Sequence, residues 1–259
     1  MQNIIALDTE FERRYTYRPI LSIVQLRQEG RDAVVYDVYK QKNESLVDLL
    51  ELLADDNVIK IIHAARQDVE AIFYRFHISI QNIFDTQIAY KYLAHKNNIG
   101  YTAMVCNLLQ QDITKDKKLQ NSNWLKRPLT EQQISYAKQD VQYLHDAYYK
   151  MIHYFQKNQY AYQQFKTECM HIEDEKNYIF NPNHYWQTIK HKFINNSHYE
   201  IIKKMFILRE KLAYKINIPR EFVIKTSNLI NFAHTGDIAY LQTHNKVKRN
   251  IFIETYCKS

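Results

Sequence analysis

Several residue types and patterns are scarce in this chain of 259 residues, and two of these absences exclude classes of protein. The three cysteines, Cys106, Cys169 and Cys257, are odd in number and widely spaced, which matches neither a zinc-binding pattern nor a disulfide framework. No apolar run approaches the roughly 18 residues of a membrane-spanning helix, and the N-terminus leads into a strand without an apolar signal region. We therefore expect a cytoplasmic protein. Only three glycines are present, a compositional bias from which no function follows.

The composition is that of an ordinary globular protein, with 46% hydrophobic and 24% charged residues. A chain of this length can bury a sizeable core and hold one medium and one smaller domain. The net charge of +7 is distributed unevenly: residues 1–160 carry 20 basic and 19 acidic residues, and residues 161–259 carry 15 and 9. The excess in the second part suggests contact with a polyanion, although a basic surface also serves solubility alone.

Two carboxylates stand at alternate positions at the end of a short apolar run, residues 4–7. Because side chains alternate between the faces of a strand, Asp8 and Glu10 are predicted to point the same way. Holding two such groups side by side is unfavourable unless cations neutralise them, and hard oxygen ligands favour Mg²⁺ or Mn²⁺. For this pair alone, two solvated acids at an exposed strand end are the ordinary alternative.

The order of the next elements predicts a mixed α/β domain. Two β-rich runs, residues 21–26 and 33–38, favour an antiparallel pair beside the first strand. A helical period over residues 45–54 and a buried strand over 58–62 follow. This order of elements, three strands followed by a helix and a fourth strand, is typical of a mixed sheet flanked by helices.

Other acids occupy helices that leave this sheet. Asp68 falls in the first turn of a predicted helix, where an acid also suits the helix dipole. Tyr136 and Asp140 are four residues apart and share one face of a long helix. We expect His63 to be packed or hydrogen-bonded rather than a metal ligand, and Asp85 to cap a helix.

A polar stretch, residues 110–123, precedes Trp124 and carries Lys115, Lys117 and Lys118. A flexible basic loop that ends in an anchored aromatic residue suits a segment closing over a nucleic-acid end. A solvated linker pinned by a buried tryptophan is the alternative.

Three segments taken together resemble the DEDD exonucleases of the ribonuclease-H-like fold, in the subgroup with tyrosine in the third motif (DEDDy). The similarity is greatest to the ribonuclease D family. The three segments are residues 7–11 (LDTEF), 63–70 (HAARQDVE) and 136–141 (YAKQDV). Residues 85–87 (DTQ) and 122–129 (SNWLKRPL) are similar to the segments that link these motifs in the family.

This resemblance implies hydrolysis of RNA from the 3′ end, with release of nucleoside 5′-monophosphates through two divalent ions, Mg²⁺ or Mn²⁺. It implies that Asp8 bridges both ions and that Glu10 and Asp140 hold the ion that binds the attacking water. Asp68 would support the other ion, and Tyr136 would orient or deprotonate the water. The catalytic set is therefore expected to be these four acids and the tyrosine.

The resemblance also implies a domain organisation. A ribonuclease-H-like mixed sheet flanked by helices would occupy residues 1–160, and a helical linker residues 161–196. Residues 197–259 would form a small all-α domain similar to the helical domain shared by RecQ helicases and ribonuclease D (HRDC). The family commonly has two copies of that domain, and one is expected here. It would contact the RNA backbone or buttress the catalytic domain.

The expected partner is RNA with a free 3′ end, transfer-RNA precursors above all. The protein is expected to be a monomer without an organic cofactor or a membrane partner. Two alternatives remain open. A related exonuclease could act on DNA, since sugar discrimination depends on a few contacts to the 2′-hydroxyl. A non-catalytic RNA-binding module would require a missing carboxylate, and none is missing.

Overall fold

The computed structural model describes residues 3–193 and 197–241, which fall into two compact units. The first unit consists of the described parts of Met1–Glu12 and Pro19–Tyr178. The second consists of Arg13–Arg18 and the described parts of Ile179–Ser259. Residues 242–259, which include Cys257 and the end of the expected helical domain, lie outside the described residues, as do residues 194–196 of the expected linker.

A five-stranded mixed sheet organises the first unit. Its strands are β1 (Ile4–Glu12), β2 (Ile20–Gln28), β3 (Val34–Asp37), β4 (Ile59–Ile62) and β5 (Ile83–Asp85). The spatial order is β3-β2-β1-β4-β5, in which β1 pairs antiparallel with β2 and parallel with β4. The strand that carries Asp8 and Glu10 is therefore central. Its register with β2 shifts between Glu10 and Phe11, an irregularity of the kind that re-aims side chains beside active sites.

Helices cover both faces of this sheet. They are α1 (Val47–Ala54), α2 (Arg66–Phe76), α3 (Thr86–Ala94), α4 (Tyr101–Leu109), α5 (Lys117–Gln120), α6 (Glu131–Asp140), α7 (Leu144–Lys157) and α8 (Gln159–Glu173). Along β1, Ile4 and Ala6 belong to one hydrophobic cluster, and Ile5 and Leu7 to another. Since neighbouring strand residues face opposite sides, the central strand is buried on both faces. The expected fold class, a ribonuclease-H-like mixed sheet flanked by helices, is confirmed.

The first unit extends beyond the boundary expected at residue 160. Helix α8 places Phe165 and Cys169, both fully buried, in the same cluster as Phe84 of β5 and Phe155 of α7. The rings of Phe155 and Phe165 stack with their centres 4.9 Å apart. Residues 161–178 are thus part of the first unit rather than a linker, because their apolar face completes its core.

Every element described in the second unit is helical. They are α9 (His184–Ile189), α10 (Tyr199–Ile216), α11 (Arg220–Val223) and α12 (Thr226–Thr235), with short 3₁₀ turns at Lys190–Lys192 and Ile238–Leu241. Trp186, Phe206 and Leu229 lie in its core. The segment Arg13–Arg18 belongs to this unit, where the hydroxyl of Tyr17 donates to Glu210 Oε2 at 2.7 Å. Among the described helices, none combines the length and apolar character needed to cross a membrane.

Candidate active site

Three carboxylates from two distant parts of the chain converge at the central strand. One oxygen each of Asp8, Glu10 and Asp140 lies within 4.8 Å of the other two. Asp8 and Glu10 come from alternate positions of β1, and Asp140 is the last residue of α6. The shared direction predicted from strand alternation is therefore present, and a helix far along the chain supplies the third acid.

Local sequence sets the residue at which α6 begins. Thr130 and Gln133 form a reciprocal capping box, in which Gln133 N donates to Thr130 Oγ1 at 3.2 Å and Thr130 N to Gln133 Oε1 at 3.0 Å. Tyr136 and Asp140, one helical turn apart, are both buried. The Tyr136 ring packs 6.1 Å from that of buried Trp124. The tryptophan thus anchors the end of the basic loop against the helix that carries Asp140.

Asp68 stands beside the three converging acids rather than among them. It lies in the first turn of α2, is 6% exposed, and accepts a hydrogen bond from Thr9 Oγ1 at 2.5 Å. Its charge nevertheless raises the pKa of both Asp8 and Glu10. The structure therefore places this fourth sequence-predicted acid within electrostatic reach of the group.

Burial and mutual repulsion dominate the electrostatics of the acids. The pKa of Asp8 is well above its ordinary value, first because of burial and then because of the charges of Asp68, Asp140 and Glu10. Burial, with the charges of Asp140 and Asp68, raises the pKa of Glu10 to about 9. Burial raises the pKa of Asp68 to about 7, against the opposing effect of the Thr9 hydrogen bond. Such a site is stabilised by positive charge.

Two further side chains contact the acids directly. Gln25 Nε2 donates to Asp8 Oδ2 at 2.7 Å. Lys115 forms an ion pair with Asp140, and its ammonium nitrogen lies 4.6 Å from the centre of the Tyr101 ring. Gln25 carried a sequence signal, since it is a polar residue inside the apolar run ILSIVQL, and the register places it opposite Asp8. Nothing in the sequence indicated that Lys115 contacts the acids, apart from its position in a basic loop.

The remaining polar residues singled out from the sequence have structural partners. His63 Nδ1 lies 2.9 Å from Thr86 Oγ1, and its Nε2 lies 3.0 Å from the carbonyl oxygen of Ile99. Burial lowers the pKa of His63 to about 4, so the ring is neutral near pH 7. Asp85 caps α3, as expected. His63 is therefore a hydrogen-bonded histidine outside the acidic group.

The donor set suits a hard divalent cation. The three converging groups supply only carboxylate oxygens, the ligands that Mg²⁺ and Mn²⁺ prefer. The raised pKa values of Asp8 and Glu10 show that their anionic forms lack sufficient compensating charge, which a divalent ion would supply. Lys115 provides part of that charge at Asp140.

A lysine paired with a prospective metal ligand predicts competition between the two cations. Lys115→Met is expected to tighten Mn²⁺ binding by roughly tenfold, about 1.4 kcal/mol, because the ion then need not displace an ammonium from Asp140. Titration of free Mn²⁺ by electron paramagnetic resonance measures this directly. Lys118→Met, an exposed lysine of the same region, is the matched control. Weaker Mn²⁺ binding in Lys115→Met would instead mean that the lysine supports the ion.

The strand order and the acids of its central strand together define the class: an exonuclease-type domain of the ribonuclease-H-like fold. A family model described as 3′-5′ exonuclease matches residues 1–155. Ribonuclease D of Granulibacter bethesdensis is 34% identical over 233 residues, which cover 90% of this chain and 58% of that protein. The chain belongs to the 3′-5′ exonuclease family.

Solved structures show the same fold. The crystal structure of Escherichia coli RNase D matches with a TM-score of 0.79 at 24% identity, covering 97% of this chain and 69% of that one. Brucella melitensis NrnC with bound Mg²⁺ matches with a TM-score of 0.55 at 26% identity, covering 66% of this chain and 84% of that one. The chain spans between 57% and 60% of the length of the curated ribonuclease D relatives.

Proposed function

We propose that the protein is a 3′-5′ exoribonuclease of the ribonuclease D type, which releases nucleoside 5′-monophosphates from RNA 3′ ends. The observation that carries the proposal is the convergence of Asp8, Glu10 and Asp140 oxygens within 4.8 Å, beside the buried Asp68. The 34% identity to a protein named ribonuclease D supports RNA as the substrate. Transfer-RNA precursors are the proposed natural substrates, and the proposed active form is a monomer.

We further propose that the four acids hold two divalent ions, Mg²⁺ or Mn²⁺. Asp8 would contact both, Glu10 and Asp140 would share one, and Asp68 would support the other. When bound, such ions stabilise the charge on the attacking and leaving oxygens of an in-line displacement. Gln25 donates to Asp8 Oδ2 and would thereby fix the orientation of that carboxylate.

Tyr136 is proposed to orient the attacking water rather than to deprotonate it. Burial and the charges of Asp140 and Glu10 raise the pKa of its phenol, so the hydroxyl remains protonated at neutral pH. A protonated phenol can donate one hydrogen bond and accept another, which suits it to positioning. Divalent ions would lower this pKa, but from a value well above neutrality.

The proposed reaction is tested with labelled RNA. A transfer-RNA precursor labelled at its 3′ end is incubated with Mg²⁺, with Mn²⁺ or with chelator, and the lengths and chemistry of the products are determined. We expect labelled nucleoside 5′-monophosphate as the first product and no product in chelator. Internal fragments, or products with 3′-phosphates, would contradict the assignment.

The preference for RNA over DNA needs its own comparison. RNA and DNA oligonucleotides of matched sequence are degraded side by side under the same ionic conditions. Faster degradation of the RNA is expected. Faster degradation of the DNA would replace the proposed substrate by the alternative one, because the same acids serve either backbone.

The second unit is proposed to bind the RNA backbone. Lys204, Lys211 and Lys215 are exposed and fall at positions i, i+7 and i+11 of α10, which places them along one face. A row of ammonium groups of this kind suits phosphates without regard to base sequence. The HRDC-like assignment is part of this proposal.

Replacing these three lysines together by glutamine is expected to weaken RNA binding several-fold and to flatten its dependence on salt. Each lost phosphate contact to single-stranded RNA lowers the slope of log K against log salt by about 0.7, so three contacts give about 2. Fluorescence anisotropy of a labelled RNA at several salt concentrations measures both quantities.

The matched control changes three exposed lysines of the first unit, Lys42, Lys96 and Lys157, to glutamine. It alters the net charge by the same amount. Similar effects in the two triple variants would indicate a general charge effect. An unchanged slope in the α10 variant would favour a buttressing role for this unit.

A further inference from the structure

The start of α2 contains a backbone conformation that its own sequence does not favour. Ala64 has φ = +60°, in the left-handed region, although it is not glycine. That conformation costs an L-residue with a Cβ about 1–2 kcal/mol. Ala65, the N-cap residue of α2, has no side-chain group that could cap the helix. Another part of the protein must hold this turn.

The carboxylate of Asp85, which is 2% exposed, supplies that restraint. Its Oδ2 accepts from Ala65 N at 2.8 Å, and its Oδ1 from Ala64 N at 3.2 Å. The same Oδ1 accepts from Gln87 N at 2.8 Å and Ile88 N at 3.2 Å, which caps α3. One carboxylate therefore serves the starts of two helices, and the sequence indicated only the second of these.

We propose that Asp85 is a positioning residue for the candidate active site, which it serves by fixing the first turn of α2 and with it the carboxylate of Asp68. The path is short: Asp85 accepts hydrogen bonds from the amides of Ala64 and Ala65, and Asp68 follows in the first turn of α2, where it accepts a hydrogen bond from Thr9 of β1. This inference rests on the proposed function, because the position of Asp68 matters only if that acid supports catalysis.

The contacts have the geometry that such a role requires. Asp85 is the last residue of β5, whereas Ala64 and Ala65 follow β4, the neighbouring parallel strand. The hydrogen bonds thus join two adjacent strand ends at one edge of the sheet. A displacement of about 1 Å at a reacting group can reduce a rate by about 100-fold, so a loosened turn before Asp68 would be detectable.

Asp85→Asn separates the two tasks of this carboxylate. If the amide carbonyl takes the place of Oδ1, it keeps three of the four contacts, and the amide nitrogen then faces Ala65 N–H, donor against donor. Hydrogen–deuterium exchange of the metal-free protein is the first measurement. We expect at least tenfold faster exchange at the amide of Ala65, which loses its acceptor, and little change at Gln87 and Ile88, which keep theirs.

The second measurement is kinetic. Asp85→Asn is expected to lower kcat on RNA by about 100-fold with KM within about twofold, because RNA contacts are unaffected and only the geometry of Asp68 is lost. Glycine adopts the left-handed conformation without cost, so adding Ala64→Gly should restore about tenfold of the lost kcat. If Asp85 only capped α3, the Ala64→Gly substitution would not restore kcat.

The outcomes separate the two proposals. An unchanged kcat in Asp85→Asn, or no gain from Ala64→Gly, would overturn the positioning role while the nuclease assignment stands. If the wild-type protein cleaves no RNA with any divalent ion, the proposed function fails, and this positioning role fails with it. If Asp85→Asn does not fold, the double variant is compared with Ala64→Gly alone, and equal kcat values in that pair would likewise overturn the role.

Discussion

Asp140→Asn is expected to reduce RNA turnover by about 1,000-fold or more while RNA affinity changes by less than about twofold. The asparagine keeps the shape of the side chain but removes one anionic oxygen from the group formed with Asp8 and Glu10. A loss of about 1,000-fold corresponds to about 4 kcal/mol of transition-state stabilisation, within the several kcal/mol that metal-ion catalysis supplies. Single-turnover cleavage of 5′-labelled RNA gives the rate, and anisotropy in chelator gives the affinity.

The control for this variant is Asp146→Asn, which removes the same charge from an exposed position in the first turn of α7. Its turnover should match that of the wild type. Undiminished turnover in Asp140→Asn would show that the site has been assigned wrongly. A parallel loss of RNA affinity would mean instead that Asp140 acts mainly through folding or substrate binding.

Local sequence patterns predicted those parts of the site that lie within a single strand or helix. Strand alternation predicted that Asp8 and Glu10 share a face, and the capping box at Thr130 predicted the helix that carries Tyr136 and Asp140. Each of these features depends on neighbours within a few residues. The resemblance to a known family then indicated that segments far apart in the chain belong to one site, which no local pattern shows.

Features that depend on the path of the chain in space were not predictable from the sequence. The ion pair of Lys115 with Asp140 depends on how the loop before α5 folds back, and nothing in the spacing of the two residues indicates it. The second task of Asp85 depends on the pairing of β4 with β5. The position of α8 in the first unit likewise depends on a core completed by Phe165, which periodicity alone could not assign.

The second large effect expected is a loss of stability of the metal-free protein as pH rises from about 5.5 to about 8.5. In the folded protein the pKa of Glu10 is about 9 and that of Asp68 about 7, against ordinary values of 4.5 and 3.8. Both groups therefore hold protons that the unfolded chain releases. The stabilisation is complete below the ordinary pKa values and is lost as pH rises through the folded ones.

The size of this loss follows from linkage. Each additional proton held by the folded state changes the free energy of unfolding by about 1.4 kcal/mol per pH unit. Over the interval the release of the Asp68 proton accounts for about 2 kcal/mol, and Glu10 adds a contribution that solvent screening at its partly exposed carboxylate reduces. We therefore expect a total loss of about 3 kcal/mol. Urea denaturation followed by circular dichroism, with chelator at each pH, measures it.

Divalent ions should reverse the effect, because they compensate the anionic forms that become populated at high pH. Saturating Mg²⁺ is expected to restore most of the lost stability at about pH 8.5 and to add little at about pH 5.5, where the protonated acids bind ions weakly. Glu10→Gln should flatten the pH dependence in chelator, whereas Glu131→Gln, which removes an exposed acid of α6, should not. An equal stability of the metal-free wild type at all these pH values would contradict the prediction. It would mean that the acids are solvated and do not repel one another, and repulsion among the acids is the basis for inferring that the site binds cations.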